Sequence, residues 1–246
     1  MGSTFKIREI RVPTLSGSKG TGYLGALVRV SVLGFLALVS VPASATQLVV
    51  VGGCRATPAD AQIWSDGLKK ALGPEFQVYG FEGPVSGDCG SAVTSPAKLS
   101  IISRAVAAVK TAPHTEPVIV AGHSAGSVIA EKIVMGLAAE GFTDLHFVNL
   151  DGFPVAYLGA TKADRVCVIL RNDIAESPNA PDMKSHCVGG KLLYLPEVGT
   201  PSCRDNSWCL HFATLNRAIG GNGITTSNWG TQGYRPTFVA ETGWLK

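Results

Sequence analysis

The sequence is short of charge. Only 16% of its 246 residues are Asp, Glu, Lys or Arg, while 46% are hydrophobic. That balance excludes an intrinsically disordered chain and suffices for one sizeable core. A long apolar run is also missing. Val30 to Val41 is a run of roughly a dozen residues, too few to cross a bilayer. None of the six cysteines stands at C-x-x-C spacing, which argues against a zinc or dithiol redox centre. Neither a phosphate-binding loop nor a dinucleotide fingerprint is present. Gly17-Ser18-Lys19-Gly20 lacks the strand and helix that such a loop requires. No internal repeat is visible.

What is present begins with a leader. Lys6, Arg8, Arg11, Lys19 and Arg29 oppose the single acid Glu9, the apolar run follows, and then comes Pro42-Ala43-Ser44-Ala45. Basic region, short apolar region and small-residue site together read as a signal peptide cleaved after Ala45. The expected location of residues 46–246 is therefore secreted or periplasmic, with no stable membrane insertion. Losing those five basic residues and one acid leaves 16 Lys+Arg against 17 Asp+Glu, a formal charge of −1, where the full chain carries +3. The basicity belongs to the leader and gives no reason to expect nucleic acid as a partner.

All six cysteines follow the leader. An even count in an exported chain reads as disulfides, and proximity favours Cys54–Cys89, Cys167–Cys187 and Cys203–Cys209. Cys167 lies inside an apolar run and is equally compatible with a buried free thiol.

Continuous apolar runs predict strands buried on both faces over 47–51, 76–81, 117–121, 146–150, 165–170 and 191–195. Helical spacing covers 58–72, 96–111, the stretch after Gly126, and a closing helix over 211–219. The alternation predicts one α/β domain over 46–246: a doubly wound, mostly parallel sheet of about six strands with helices on both faces. The Gly-rich tail from about residue 220 reads as coil or an edge hairpin.

One stretch organises the rest. Pro117 to Ala138 reads PVIVAGHSAGSVIAEKIVMGLA: a strand, a tight turn with a serine at its apex, and a helix. Glycine is common here, so the bare G-x-S-x-G pattern carries little weight, but its strand-to-helix setting does. Side chains at positions 122 and 126 would collide with the adjoining strand and helix, and Gly122 and Gly126 remove those collisions. The turn raises the Ser124 hydroxyl above the sheet, and the helix below aims backbone N–H groups at the same point. At these residues the chain resembles the α/β-hydrolase family, and Gly122-His123-Ser124-Ala125-Gly126 is similar to the nucleophile elbow of its lipases and esterases.

A serine nucleophile needs an imidazole to take its proton and an acid to fix the imidazole's tautomer. The resemblance implies chain order Ser, acid, His, with the base after the last strand. His211 fits that place and His186 is the alternative. His123 reads as structural, and His114 and His146 precede strands, at the other end of the sheet. For the acid, Asp173 follows the second strand after the elbow, where most family members carry theirs. Asp151 ends the first, where Leu150-Asp151-Gly152-Phe153-Pro154 resembles animal-type lipases. Both remain open, Asp173 being narrowly preferred.

The oxyanion hole implied by the resemblance uses the Ala125 N–H, with a second donor from Gly53 or Cys54 in a turn like that of small cutinase-type or bacterial lipases. Only about a dozen residues separate the strand ending at Asp151 from the next, which leaves no room for a large cap domain there. The resemblance thus implies an uncapped, exported hydrolase of carboxylic esters, acting as a monomer on small-molecule, lipid or polyester substrates without metal or organic cofactor. Two other readings are an acyltransferase using the same triad and a non-catalytic binding module on this scaffold. Material recovered from an exporting host is expected to begin at Thr46, which intact-mass measurement and amino-terminal sequencing check.

Overall fold

A computed structural model of the chain describes residues 45–90, 92–153, 163–171, 174–187, 190–196, 203, 205–211 and 214. Residues 1–44, Asp173, nearly all of the segment beyond His211 and the tail from residue 220 lie outside them. The described elements run β1 (Thr46–Val51), α1 (Pro58–Leu72), β2 (Phe76–Phe81), α2 (Pro96–Val109), β3 (Val118–His123), α3 (Gly126–Ala139), β4 (Leu145–Leu150), β5 (Ala163–Arg171), α4 (Ala180–His186) and β6 (Lys191–Pro196).

The strands form one sheet in the order β2-β1-β3-β4-β5-β6, and every neighbouring pair is parallel. Period-two alternation sorts β1 onto two faces. Leu48 and Val50 pack with Ala61, Trp64, Leu68 and Leu72 of α1. Val49 and Val51 pack with Ile101, Ala105 and Val109 of α2 and with Ile129, Ile133 and Leu137 of α3. This is the doubly wound parallel α/β arrangement expected from the sequence, with helices on both faces, and only residues 151–162 join β4 to β5, so it carries no large cap there.

Two elements differ from expectation. Residues 180–186 form α4 where a loop was expected. A seven-residue helix with proline in its first turn shows too short an apolar period to be recognised. The helical turn bearing His211 starts earlier than expected, at Ser207, because the Asn206 side chain accepts from the Cys209 N–H at 3.0 Å and caps it.

The strand order places the site. From β1 the chain winds one way to β2, then crosses back to β3 on the other side of β1. In such sheets ligands bind outside the carboxyl ends of the strands at this switch point, and the loops there are fastened. Cys54 pairs with Cys89, tying the loop after β1 to the loop after β2. Fully buried Lys98 donates to the carbonyls of Gly90 and Ala92 at 2.7 and 2.6 Å and lies 3.4 Å from Asp88 Oδ1. Cys167–Cys187 and Cys203–Cys209 also pair as proximity suggested.

Helix α3 begins in contact with the end of β1. A Cβ on residue 126 would lie 2.3 Å from the Gly52 carbonyl oxygen and 2.9 Å from that of Val51, backbone atoms that cannot turn aside. Gly126→Ala is therefore expected to destabilise the fold by about 3 kcal/mol, whereas Gly90→Ala, whose Cβ meets nothing within 4 Å, stays within about 0.5 kcal/mol of the parent. Urea unfolding midpoints of the two variants test this.

Candidate active site

Strand β3 is fully buried up to His123 and delivers Ser124 into a turn with φ of +51°, a left-handed conformation that costs a non-glycine residue about 1–2 kcal/mol. Three contacts hold it there. The Ser124 N–H donates to the Leu150 carbonyl at 3.1 Å, and the Ser127 N–H and Oγ both donate to the Ser124 carbonyl at 3.0 and 2.8 Å. Gly122 is required by close approach, since a Cβ there would lie 2.6 Å from both the Gly126 carbonyl oxygen and Ser127 Cα. Helix α3 starts at once and has no side-chain cap, so its N-terminus is presented beside the serine hydroxyl.

On the neighbouring strand, Asp151 occupies a second left-handed turn, with φ of +46°. Asn149 shapes it: its Oδ1 accepts from the Gly152 N–H at 2.8 Å and its Nδ2 donates to the Phe153 carbonyl at 3.0 Å. Each polar group of Asp151 is engaged. Its N–H donates to the Val168 carbonyl at 2.9 Å, and its own carbonyl accepts from Asn179 Nδ2 at 2.8 Å. Oδ1 accepts from Ser177 Oγ at 2.7 Å, and Oδ2 lies 2.7 Å from His211 Nδ1.

His211 joins the two turns. Its Nε2 lies 2.9 Å from Ser124 Oγ. A carboxylate only accepts, so Nδ1 carries the proton toward Asp151 and Nε2 is left to accept from the serine hydroxyl. Asp151 and His211 are buried, at 0% and 3% exposure, while Ser124 is partly open. The Trp208 ring stands edge-on to His211 at 5.6 Å. Such an assembly can polarise a hydroxyl, take its proton and stabilise the resulting imidazolium.

His123 has a part that its place in the elbow did not disclose. Its Nε2 donates to the His211 carbonyl at 2.9 Å, so the residue before Ser124 holds the backbone of the residue that reaches Ser124. Burial, and secondarily the charge of His211, push its pKa down to about 4, so it stays neutral. The ring's other edge faces Gly53, where a Cβ would lie 2.8 Å from His123 Nδ1 and 3.1 Å from Ser124 Cβ. The backbone of Gly53 thus lies directly beside the serine, one residue before the bridged Cys54. Ala125 is buried at the start of α3.

Of the other residues considered from sequence, Asp173 lies outside the described residues. His186 ends α4 just before β6. His146 pairs with Asp144 at 2.9 Å at the amino end of β4, and His114 packs on Phe142 with ring centroids 4.6 Å apart, both away from Ser124. Ser177, Asn179 and Asn149 escaped sequence reading. Polar residues in loops are ordinary, and the sole available signal was Asn149 inside an otherwise apolar strand.

No family model and no curated relative matches the chain. Among solved structures it is similar to a lipase-esterase related protein from Clostridium acetobutylicum, at 12% identity over 70% of this chain and 89% of that one, with a TM-score of 0.42. It is also similar to a thioesterase from the prodiginine biosynthetic pathway of Streptomyces coelicolor, at 13% identity over 77% and 87%, with a TM-score of 0.42.

The buried neutral His123 sets a pH dependence of stability. Its folded pKa lies below the ordinary histidine value of 6.5, so the unfolded chain binds the extra proton first as pH falls. Stability from this group is complete above about 6.5 and is lost as pH drops toward about 4, with a slope approaching 1.4 kcal/mol per pH unit. Urea midpoints between pH 4.5 and 7.5 should show a steeper acid loss for the parent than for His123→Asn, whose amide can still donate but does not titrate.

Proposed function

We propose that the protein is an exported serine hydrolase of carboxylic esters, with Ser124 as nucleophile, His211 as general base and then general acid, and Asp151 as the partner that fixes the imidazole. One observation carries the reading: a single imidazole lies 2.9 Å from a hydroxyl on a strained turn and 2.7 Å from a fully buried carboxylate. A structural histidine would not need both. Attack of Ser124 Oγ on an acyl carbonyl passes its proton to His211 Nε2, and Asp151 stabilises the imidazolium. The carbonyl oxygen becomes an oxyanion, for which the Ala125 N–H and an N–H of Gly53 or Cys54 are the proposed donors. His211 then protonates the departing alcohol, leaving an acyl-enzyme. Water, deprotonated by the same imidazole, hydrolyses it and regenerates the serine.

Export is supported by the leader and by three disulfides, which persist in oxidising compartments. The short β4–β5 connection suits esters carried on bulky or insoluble material, lipid or polyester, and the enzyme is read as a monomer.

A fluorophosphonate probe should label the wild type and fail on Ser124→Ala. With p-nitrophenyl butyrate, Asp151→Asn should lower kcat by about 10³- to 10⁴-fold through the wrong imidazole tautomer, while Asp173→Asn stays within about threefold of the parent. Absence of labelling in the wild type refutes the hydrolase reading. A reversed order of the two Asn variants refutes the choice of acid.

A further inference from the structure

The segment following β5 is built around the carboxylate that ends β4. Ser177 is 2% exposed and its hydroxyl donates to Asp151 Oδ1 at 2.7 Å, the oxygen that does not face His211. Two residues on, Asn179 stands at the N-cap of α4, a position whose side chain ordinarily accepts from the helix's own first N–H groups and stabilises it by about 1 kcal/mol. Here it makes no such bond. Its Nδ2 reaches instead to the Asp151 carbonyl at 2.8 Å. A helix left without its side-chain cap while the capping amide points elsewhere indicates that the amide's other contact is what the loop is shaped for. The two donors fix different parts of one residue: Asn179 the backbone of a left-handed turn, Ser177 the rotation of the carboxylate about its side chain.

We infer that Ser177 and Asn179 are positioning residues, which hold the plane of the Asp151 carboxylate so that one oxygen faces His211 Nδ1 while the other accepts from Ser177. The inference rests on the reading of Asp151 as the acid partner of His211. With Oδ1 held by a hydroxyl, the carboxylate cannot rotate without leaving a buried donor unsatisfied. The same bond stabilises the anion. Among the described residues, the titratable groups facing Asp151 are His211 from the Cys203–Cys209 segment and His123 from β3. Removing the Ser177 hydroxyl leaves the Asp151 charge, among the described residues, with His211 as its remaining side-chain partner and strengthens its hold on the imidazolium. The acid limb of the rate profile is therefore expected to move upward.

The test is Ser177→Ala beside Ser177→Thr, with p-nitrophenyl butyrate from pH 4.5 to 9. For Ser177→Ala, kcat should fall about tenfold with KM unchanged, and the acid limb should rise by roughly half a pH unit or more; Ser177→Thr, which keeps the hydroxyl, should recover most of both. A second readout does not need turnover: the downfield proton NMR resonance of His211 Nδ1–H should shift or broaden in Ser177→Ala and return in Ser177→Thr. If Ser177→Ala does not fold, Asn179→Ser, which can still cap α4 but cannot reach Asp151, is judged by the same shift in that resonance. An unmoved acid limb or an unmoved resonance in the folded variant overturns the inference. A wild type that turns over no ester but shows the resonance change leaves the positioning intact and fails the hydrolase reading alone.

Discussion

How closely helix α3 can approach the end of β1 decides everything at the carboxyl edge of this sheet. The contact is backbone against backbone, with Gly126 over the carbonyls of Val51 and Gly52 and Gly122 under the first turn of the helix. No side chain larger than hydrogen fits at either place. Because α3 sits that low, the turn before it must be sharp, Ser124 must take a positive φ, and the serine comes to stand beside Gly53 at the switch point between β1 and β3. A helix held a few tenths of an ångström further out would relax the turn and separate the hydroxyl from the loop proposed to supply donors to it.

The polar groups gathered at that point are buried, which makes their pairing compulsory. Asp151, Asn149, Ser177 and His211 are each at most 3% exposed. A polar group left unpaired there costs about 1–3 kcal/mol, and an unpaired charge more. The network therefore behaves as one unit. The left-handed turns at Ser124 and Asp151 lie on adjacent strands, and the Ser124 N–H bonded to the Leu150 carbonyl makes each a support for the other. Strain of 1–2 kcal/mol per turn persists because relaxing either would break bonds at both.

The strands and the elbow were legible in the sequence because their physics is local. An apolar run of five or six residues needs burial on both faces, and a glycine on each side of a serine states a steric problem and its solution together. The disulfides were legible for a similar reason, short separations among an even number of cysteines. The acid was not. Asp151 and Asp173 both follow strands, and what distinguishes the described one is a set of donors from Ser177 and Asn179, brought near by the pairing of β4 with β5. Nothing in either residue's neighbourhood along the chain records those partners. Helix α4 was missed because seven residues are too few to show an apolar period. His123 was read as structural from its place inside the elbow; its bond to the His211 carbonyl spans 88 positions and has no sequence signature.

The absence of a large cap between β4 and β5 raises a physical question that the network answers. Electrostatic effects at a reacting centre are strong when water is excluded, and many enzymes achieve this by closing a lid. Here the shielding lies beneath the reacting atom. His211 and Asp151 are buried by the sheet, by Trp208 at the edge of the imidazole and by the Ser177 loop, and Ser124 alone is partly exposed. On the proposed reading, a substrate has to cover only one open side to complete a dry environment, and its own apolar bulk can do so. The loops around the site are fastened, by Cys54–Cys89 and Lys98 after β1 and β2 and by Cys203–Cys209 before His211. On the proposed reading, a site preorganised in this way loses little entropy when substrate arrives.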